Sequence, residues 1–424
     1  MTEVNFPSGP SISARDAAAE IAAKFSAAGH TAYFAGGCVR DELLNFSPID
    51  FDIATSATTE QIRSIFPKAR GVGESFGVIL VHHKGRVVEV ASFRADGLYV
   101  DGRRPEDIEV GDEKTDANRR DFTINGMFMH PASGDIIDHV NGRADIQNKI
   151  LRAINNPDAR LSEDRLRLLR AVRFAARFDL SIEPKTETAI RAHAHELRGV
   201  SRERVGQELR RMIAHPSRVK ALELIESLGL APSTLLETSP PTSLQRVRSL
   251  ATTVAQSTAS PPQSETLQAQ QLATVLAAWL LDRQSTLPWQ ERVNQWTSAL
   301  VLSNKERDAL MSTLQLQITL PQWATFSKAL QKRTAANLSF TDALQVFATD
   351  APDAAARIQK DFQLLEKEGI SPAPWLCGDD LIDMGLRAGP EFRRILDAVY
   401  DAQLEGTLTN KSAAKLFAKQ LSKG

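Results

Sequence analysis

The chain has little of what several protein classes require. Its 424 residues include two cysteines, Cys38 and Cys377, too few for a disulfide framework or a cysteine-rich metal site. No apolar run approaches the roughly 18 residues that cross a bilayer. Residues 1–30 lack the apolar stretch of a secretion signal, so neither a membrane nor a secreted protein is expected, and a reducing cytoplasm is. No histidine follows His215, which removes imidazole metal chemistry from the C-terminal half. The formal charge is only −1, from 51 basic and 52 acidic residues, so no chain-wide field draws in nucleic acid and any basic surface is local. There is no repeat of fixed period and no phosphate-binding loop of the G-x-x-x-x-G-K-[ST] type. With 42% hydrophobic and 24% charged residues, collagenous and disordered classes are excluded. At roughly 150 residues per domain, the length allows about three domains.

Residues 1–150 read as mixed α/β. An Ala-rich helix over 12–28 stops at Gly29, and TAYFAGG (31–37) is a short strand entering a double-glycine turn. A helical turn follows over 39–44, then a strand over 50–56. Thr59 is placed to cap a helix running to Phe66. FGVILVHH (76–83) and RVVEVASF (86–93) are strands joined by a Lys84-Gly85 hairpin turn. From residue 151 strands are no longer expected. Segment 162–178 has helical spacing, with Leu166, Leu169, Val172 and Ala176 on one face. Residues 186–213 continue as helix. Stretch 231–268, with five prolines and much Ser, Thr and Gln, reads as a linker. Residues 269–424 are helix-like and hold all five tryptophans.

Charge is concentrated in residues 151–220, which carry 16 Lys and Arg against 9 Asp and Glu, a net of +7. This is either a nucleic-acid footprint or a solvated helix face. GESFG (73–77) matches the nucleophile elbow of hydrolases, but the elbow needs a helix after it and a strand pattern follows. His193 and His195 diverge on a helix, and Cys38 reads as a small packed residue.

The chemistry points to Asp50-Phe51-Asp52. On a strand, residues i and i+2 share a face, so two carboxylates stand together with Phe51 and Ile53 turned away. Like charges this close need a cation between them, and two carboxylates plus substrate phosphates suit Mg²⁺. A D-x-D alone also fits a solvated loop. Its context adds Gly36-Gly37, where backbone N–H groups can approach a phosphate, and Arg40, which can add a charge-assisted contact. Glu89, in an apolar strand, either completes a metal cluster or lies on an open sheet face. Phosphate binding beside metal binding is what nucleotidyl transfer needs.

The run AGGCVRDELLNFSPIDFDIATSATTEQIRSIF (35–66) closely resembles the catalytic head of class II tRNA nucleotidyltransferases, a family that includes bacterial poly(A) polymerases. RRDFTINGMF (119–128), DHVNGRADIQNKILRAI (138–154), EDRLRLLRAVRFAARF (163–178) and SRERVGQEL (201–209) continue the resemblance, and GDDLIDMGLRAGPEFRRIL (378–396) looks like its tRNA-binding tail. Asn45-Phe46 departs from the usual glycine-basic turn, and Gly126 stands where Ala is commoner. The resemblance implies an α+β fold: a polymerase-β-like mixed-sheet head (1–150), a helical neck (151–216), a helical body (217–335) and a helical tail (336–424). It implies that Asp50 and Asp52 hold two Mg²⁺, and that Gly37 and Arg40 bind the triphosphate. Arg119 and Arg120 would contact the nucleotide, with Asp121 near the ribose. Asp164, Arg167, Arg170 and Arg173 would line the nucleotide pocket. Arg387 and Gly389 would lie on the RNA track, although Gly389-Pro390 is equally a plain helix cap.

Asp164 and Arg167, at i and i+3, are neighbours on a helix surface and carry a logic of their own. A carboxylate takes the amino group, and a guanidinium donates to the ring nitrogen, of cytosine or adenine. Guanine and uracil present the reverse pattern and leave both protein groups unpaired. Asp164 is otherwise a helix N-terminal acid. The implied activity is addition of CCA to tRNA 3′ ends from CTP and ATP. An A-adding or poly(A)-adding sister shares these motifs, and a non-catalytic RNA-binding relative is the third reading. FRADGLYVDGRRP (93–105) resembles a loop tied to full CCA addition, and an Arg/Lys-rich tail of the poly(A) polymerase kind is missing.

Overall fold

A computed structural model describes residues 12–71, 78–96, 108–238, 243–254, 264–283, 285–387 and 389–422. The GESFG segment and most of the 93–105 loop lie outside the described residues. A mixed sheet organises the head. Its strands in chain order are β1 (Ala32–Ala35), β2 (Asp52–Thr55), β3 (Arg70–Gly71), β4 (Val78–His83), β5 (Arg86–Ser92), β6 (Met127–Met129) and β7 (Ile136–Asp138). They lie in the order β3-β4-β5-β2-β1-β6-β7. The β2–β5 pair is parallel and its neighbours are antiparallel. Lys84 (φ 46°) and Gly85 (φ 79°) both sit in the left-handed region, the requirement of a tight hairpin turn whose twist matches its strands.

Helix α1 (Ala14–Ala27) is capped by Ser13, whose side chain accepts from the Asp16 N–H. It buries Ile21, Ala22 and Phe25, and packs on β1, β2 and β5. The next helix, α2 (Gly37–Leu43), starts directly out of the Gly36-Gly37 turn. Thr58, not Thr59, caps the following helix: its hydroxyl takes the Gln61 N–H, and the Gln61 side chain returns to the Thr58 N–H. A capping box needs Gln or Glu three residues after the cap, and only Thr58 has one. Gly126 is required rather than incidental, because a Cβ there would stand 2.7 Å from Val140 Cγ2.

Three further expectations change. Strands do not stop at 151: Ile150–Leu151 pairs in parallel with Ser181–Ile182. The helix expected over 162–178 is two helices, Pro157–Glu163 and α3 (Arg167–Arg177), broken at an extended Asp164 (φ −142°, ψ 103°). The Asp164 Oδ1 accepts the Leu166 N–H at 3.0 Å, and this local bond competes with helix continuation. Helix α3 buries Leu168, Ala171 and Ala175 as well as Leu169, Val172 and Ala176, so more than one stripe is covered. It packs on α4 (Arg202–Ala214). Finally, the expected linker 231–268 contains helices Ala231–Leu235 and Gln245–Val254. Leu244, Val247 and Leu250, three apart, are buried beneath the second, a periodicity masked by the surrounding Pro and Ser.

The chain forms two compact units, residues 1–238 and 239–424. In the second, Trp279 and Trp296 meet edge-on at 5.5 Å and both are fully buried. A second cluster there gathers Trp323, Phe340 and Ile358, and a third gathers Leu381, Ile395 and Val399. Among the described residues no helix is long and apolar enough to cross a membrane. Gly389 begins the helix Pro390–Leu404, and both Arg387 and Gly389 are exposed in this second unit.

Candidate active site

Pairing of short strands brings the acidic residues to the glycine turn. Ala35, the last residue of β1, lies opposite Asp52, the first residue of β2. The Gly36-Gly37 turn therefore begins beside the Asp52 carboxylate. On the other flank Ile53 pairs with Val90, so Asp52 and Glu89 both sit one residue earlier on neighbouring parallel strands. Asp50 precedes β2 instead of belonging to it, which shortens the expected strand. The alternation still holds: Phe51 and Ile53 are buried, and Phe51 packs edge-on against Phe34 at 5.0 Å.

Asp50, Asp52 and Glu89 open into a cleft of about 800 Å³, together with Gly37, Arg40, Arg119, Arg120, Asp121, Asp164, Arg167, Arg170 and Arg173. Every candidate of the head and neck thus lines one cavity; Arg387 and Gly389 are not among its residues. Burial pushes the Asp52 carboxyl up to about 7, and the charges of Glu89 and Asp50 push the same way. A carboxylate opposed like this is relieved by a cation. Glu89 shares this cleft and its charge acts on Asp52. The donor set fits a hard ion taking two carboxylates and completing its shell with phosphate and water, as Mg²⁺ does.

The opposite wall is basic, and its guanidinium groups are held. Asp116, only 1% exposed, binds Arg119 on Oδ1 (2.6 Å) and Arg120 on Oδ2 (2.8 Å). The Arg40 Nη1 donates to Asn125 Oδ1 at 2.6 Å and its Nε to Asp41 at 2.8 Å, with the guanidinium over the Phe178 ring. The Asp121 Oδ2 receives Arg170, and its Oδ1 receives the Phe122 N–H and Asn125. Against the effect of burial, Arg170, Asn125 and Arg167 hold the Asp121 carboxyl far below the usual range. Arg173 donates to Glu208 at 2.6 Å.

The expected side-by-side placement of Asp164 and Arg167 on one helix is not found. Asp164 sits in the break before α3 and pairs through Oδ2 with Arg204 at 2.7 Å. The Arg167 Nη1 donates to Glu163 (2.6 Å) and the Arg160 carbonyl (2.7 Å), and its Nη2 to the Arg119 carbonyl (3.2 Å). Both still face the cleft.

Three comparisons bear on this site. Residues 32–152 match the poly(A) polymerase head domain, and residues 179–240 match a family described as the probable RNA- and SrmB-binding site of polymerase A. Together the two matches account for most of residues 32–240, the stretch that holds the cleft residues. The chain is 42% identical to the CCA-adding enzyme of Geobacillus thermodenitrificans (strain NG80-2) over 204 residues, 48% of this chain and 50% of that one. It is 44% identical to the CCA-adding enzyme of Streptococcus mutans over 194 residues, 46% of this chain and 48% of that one. These matches span about half the length of the curated relatives. Among solved structures, the Bacillus stearothermophilus CCA-adding enzyme in complex with CTP superposes with a TM-score of 0.76 at 26% identity, covering 96% of this chain and 97% of that one. The Thermotoga maritima CCA-adding enzyme complexed with tRNA shares the fold, with a TM-score of 0.67 at 19% identity, covering 95% of this chain and 94% of that one.

Sequence reading missed Asp116, Asn125, Arg204 and Arg211, which line this cleft or brace its arginines. Asp116 and Asn125 flank the Arg119-Arg120-Asp121 run on a short helix and a 3₁₀ turn. A buried acid three and four residues before two arginines was the available signal. Arg204 and Arg211 lie seven apart on α4, hence on one face, in the segment of net positive charge.

Proposed function

We propose that the chain is a template-independent nucleotidyltransferase that adds CCA to tRNA 3′ ends from CTP and ATP. The observation that carries this reading is the single cleft in which Asp50, Asp52 and Glu89 face the Gly36-Gly37 turn, Arg40, Asp164 and Arg167. Further support comes from the poly(A) polymerase head match, from relatives named CCA-adding enzyme, and from the solved relative that carries CTP. Asp50 and Asp52 would hold Mg²⁺. When bound, a pair of such ions acidifies the attacking 3′-hydroxyl and offsets charge on the departing pyrophosphate.

The protein's own groups do the rest. Gly37 gives the triphosphate close access to backbone N–H groups, and Arg40 lends positive charge from a fixed position. Arg119 and Arg120, braced by Asp116, face the nucleotide. Asp121 fixes Arg170 and Asn125, whose other partner is Arg40. For base choice, Asp164 accepts the amino group of cytosine or adenine beside its bond from Arg204, since each carboxylate oxygen has a second lone pair. The bonds from Arg167 use three of its five N–H groups, and another donates to the base nitrogen. Guanine and uracil would present a carbonyl to Asp164 and an N–H to Arg167, leaving the spare lone pair and the spare N–H without partners.

The test is to incubate the protein and Mg²⁺ with tRNA lacking its last one, two or three residues. CTP, ATP or both are supplied and the ends sequenced. Completion to CCA followed by arrest is expected. Addition of A alone identifies an A-adding enzyme, long A tracts a poly(A) polymerase, and RNA binding without addition a non-catalytic relative. Asp50→Ala and Asp52→Ala should each abolish addition and keep RNA binding; turnover retained in either contradicts the metal assignment.

A further inference from the structure

A second cavity, of about 440 Å³, opens beside the catalytic cleft, and Arg173 and Arg211 line both. Its size lies within the roughly 300–1,000 Å³ typical of ligand sites. Its walls are divided by chemistry. Ala176, Met212, Ala214 and Ala221 form an apolar side; Arg177, Arg211 and His215 form a polar one. Among the described residues no carboxylate lines it. This differs from the cleft, where Asp50, Asp52 and Glu89 face the space.

The polar side carries excess positive charge. Glu208 takes Arg173 on Oε2 at 2.6 Å and Arg211 on Oε1 at 2.9 Å, so one carboxylate serves two guanidinium groups. Arg177 lies one helical turn beyond Arg173 on α3. It meets Asp41 only at 4.0 Å, and its side chain is 41% exposed. Burial first, and the Arg177 charge second, hold His215 below its ordinary value, so the ring adds a neutral polar edge at pH 7 rather than a competing cation. The Arg177 guanidinium covers the Phe178 ring at 5.1 Å, and the exposed Phe46 packs on that same ring at 5.8 Å. Phe46 belongs to the Asn45-Phe46 departure from the family's usual turn.

We propose that this cavity receives the nucleotide preceding the reactive 3′ end of the RNA primer. Its base lies on the Ala176–Met212–Ala214 side and its phosphodiester on Arg177 and Arg211. The inference rests on the nucleotidyl-transfer reading. A strand whose last hydroxyl sits among Asp50 and Asp52 must leave the cleft along one of its walls, and the wall bearing Arg173 and Arg211 leads into a nucleotide-sized space of the right charge. An incoming triphosphate is disfavoured there, because none of the described lining residues is acidic and Glu208 nearby is taken up by Arg173 and Arg211.

Arg177→Gln removes the charge, and Ala214→Phe fills the space from an exposed position at the end of α4. The substrate is an acceptor-stem RNA ending one nucleotide short, with ATP and Mg²⁺. Arg177→Gln should raise KM for RNA about tenfold and reduce the logarithmic salt slope of RNA binding by about one. Ala214→Phe should raise KM for RNA and leave the salt slope unchanged. In both, KM for ATP and kcat at saturating RNA should stay at the parent value. An unchanged KM for RNA in both variants overturns the proposal, as does a KM for ATP that rises in step. If the parent protein adds no nucleotide, the transfer reading fails separately. Fluorescence anisotropy of a labelled single-stranded oligoribonucleotide then decides: weaker binding by both variants supports the subsite, and parent-like affinity overturns it.

Discussion

A Cβ placed on Gly36 would stand 2.8 Å from Nη1 of Arg120. That nitrogen cannot swing away freely, because Arg120 is tied to Asp116 and to the Asn125 carbonyl at 3.2 Å. Gly36 also has a φ of 70°, which side chains rarely adopt. The turn that exposes backbone to the cleft therefore depends on having no side chain.

Gly36→Ala should therefore cost about 1–3 kcal/mol in strain and lower nucleotide addition at least tenfold. Denaturant unfolding and single-turnover addition read the two effects. Addition at the parent rate would show that the turn tolerates a methyl group.

Asp116→Asn should be more severe. It leaves Arg119 and Arg120 without their shared counter-charge in a buried position, a loss of about 3–5 kcal/mol for a broken buried pair. The urea midpoint should fall at unchanged m. A variant that keeps its midpoint would mean that the two arginines find other acceptors.

Asp121 gives a pH dependence of fixed sign. Its folded carboxyl is held well below the ordinary value near 3.8, so its stabilisation is present above that pH and is lost as pH falls below it. Across that acid window one proton is taken up on unfolding, a slope of up to about 1.4 kcal/mol per pH unit. Asp121→Asn, although less stable at pH 7, should lack this component between pH 4 and 2. Equal acid slopes in parent and variant would refute the assignment.

The two thiols should react differently. Burial first, and Asp52 second, push Cys38 up to about 12, so thiolate is scarce at pH 8. Cys377 is exposed. Mass spectrometry after brief alkylation of the native protein should find label on Cys377 alone. Both should label in denaturant. Native labelling of Cys38 would mean that the β1–α2 junction opens.

Much of the head was readable because its signals are local. The Lys84-Gly85 turn, the double glycine before a helix, and the alternation of Asp50 and Asp52 with Phe51 and Ile53 each follow from backbone geometry or strand period. The errors have local causes too. Asp164 interrupts a helix that the apolar spacing carries through, because its side chain bonds to the backbone two residues on. The helix over Gln245–Val254 hid among prolines that lie outside it. Thr58 displaced Thr59 because the cap is chosen by Gln61.

By itself the sequence determined which groups this protein has for chemistry: two alternating carboxylates, a glycine turn and a basic helical segment, all properties of neighbours within a few residues. Only the tertiary structure decided which arginines those groups meet. Asp116 between Arg119 and Arg120 fixes one wall, Asp121 on Arg170 ties the head to the neck, and Arg204 reaches Asp164 from forty positions away. Such pairings depend on how strands and helices pack, and a charge in a sequence does not state which opposite charge will be buried beside it.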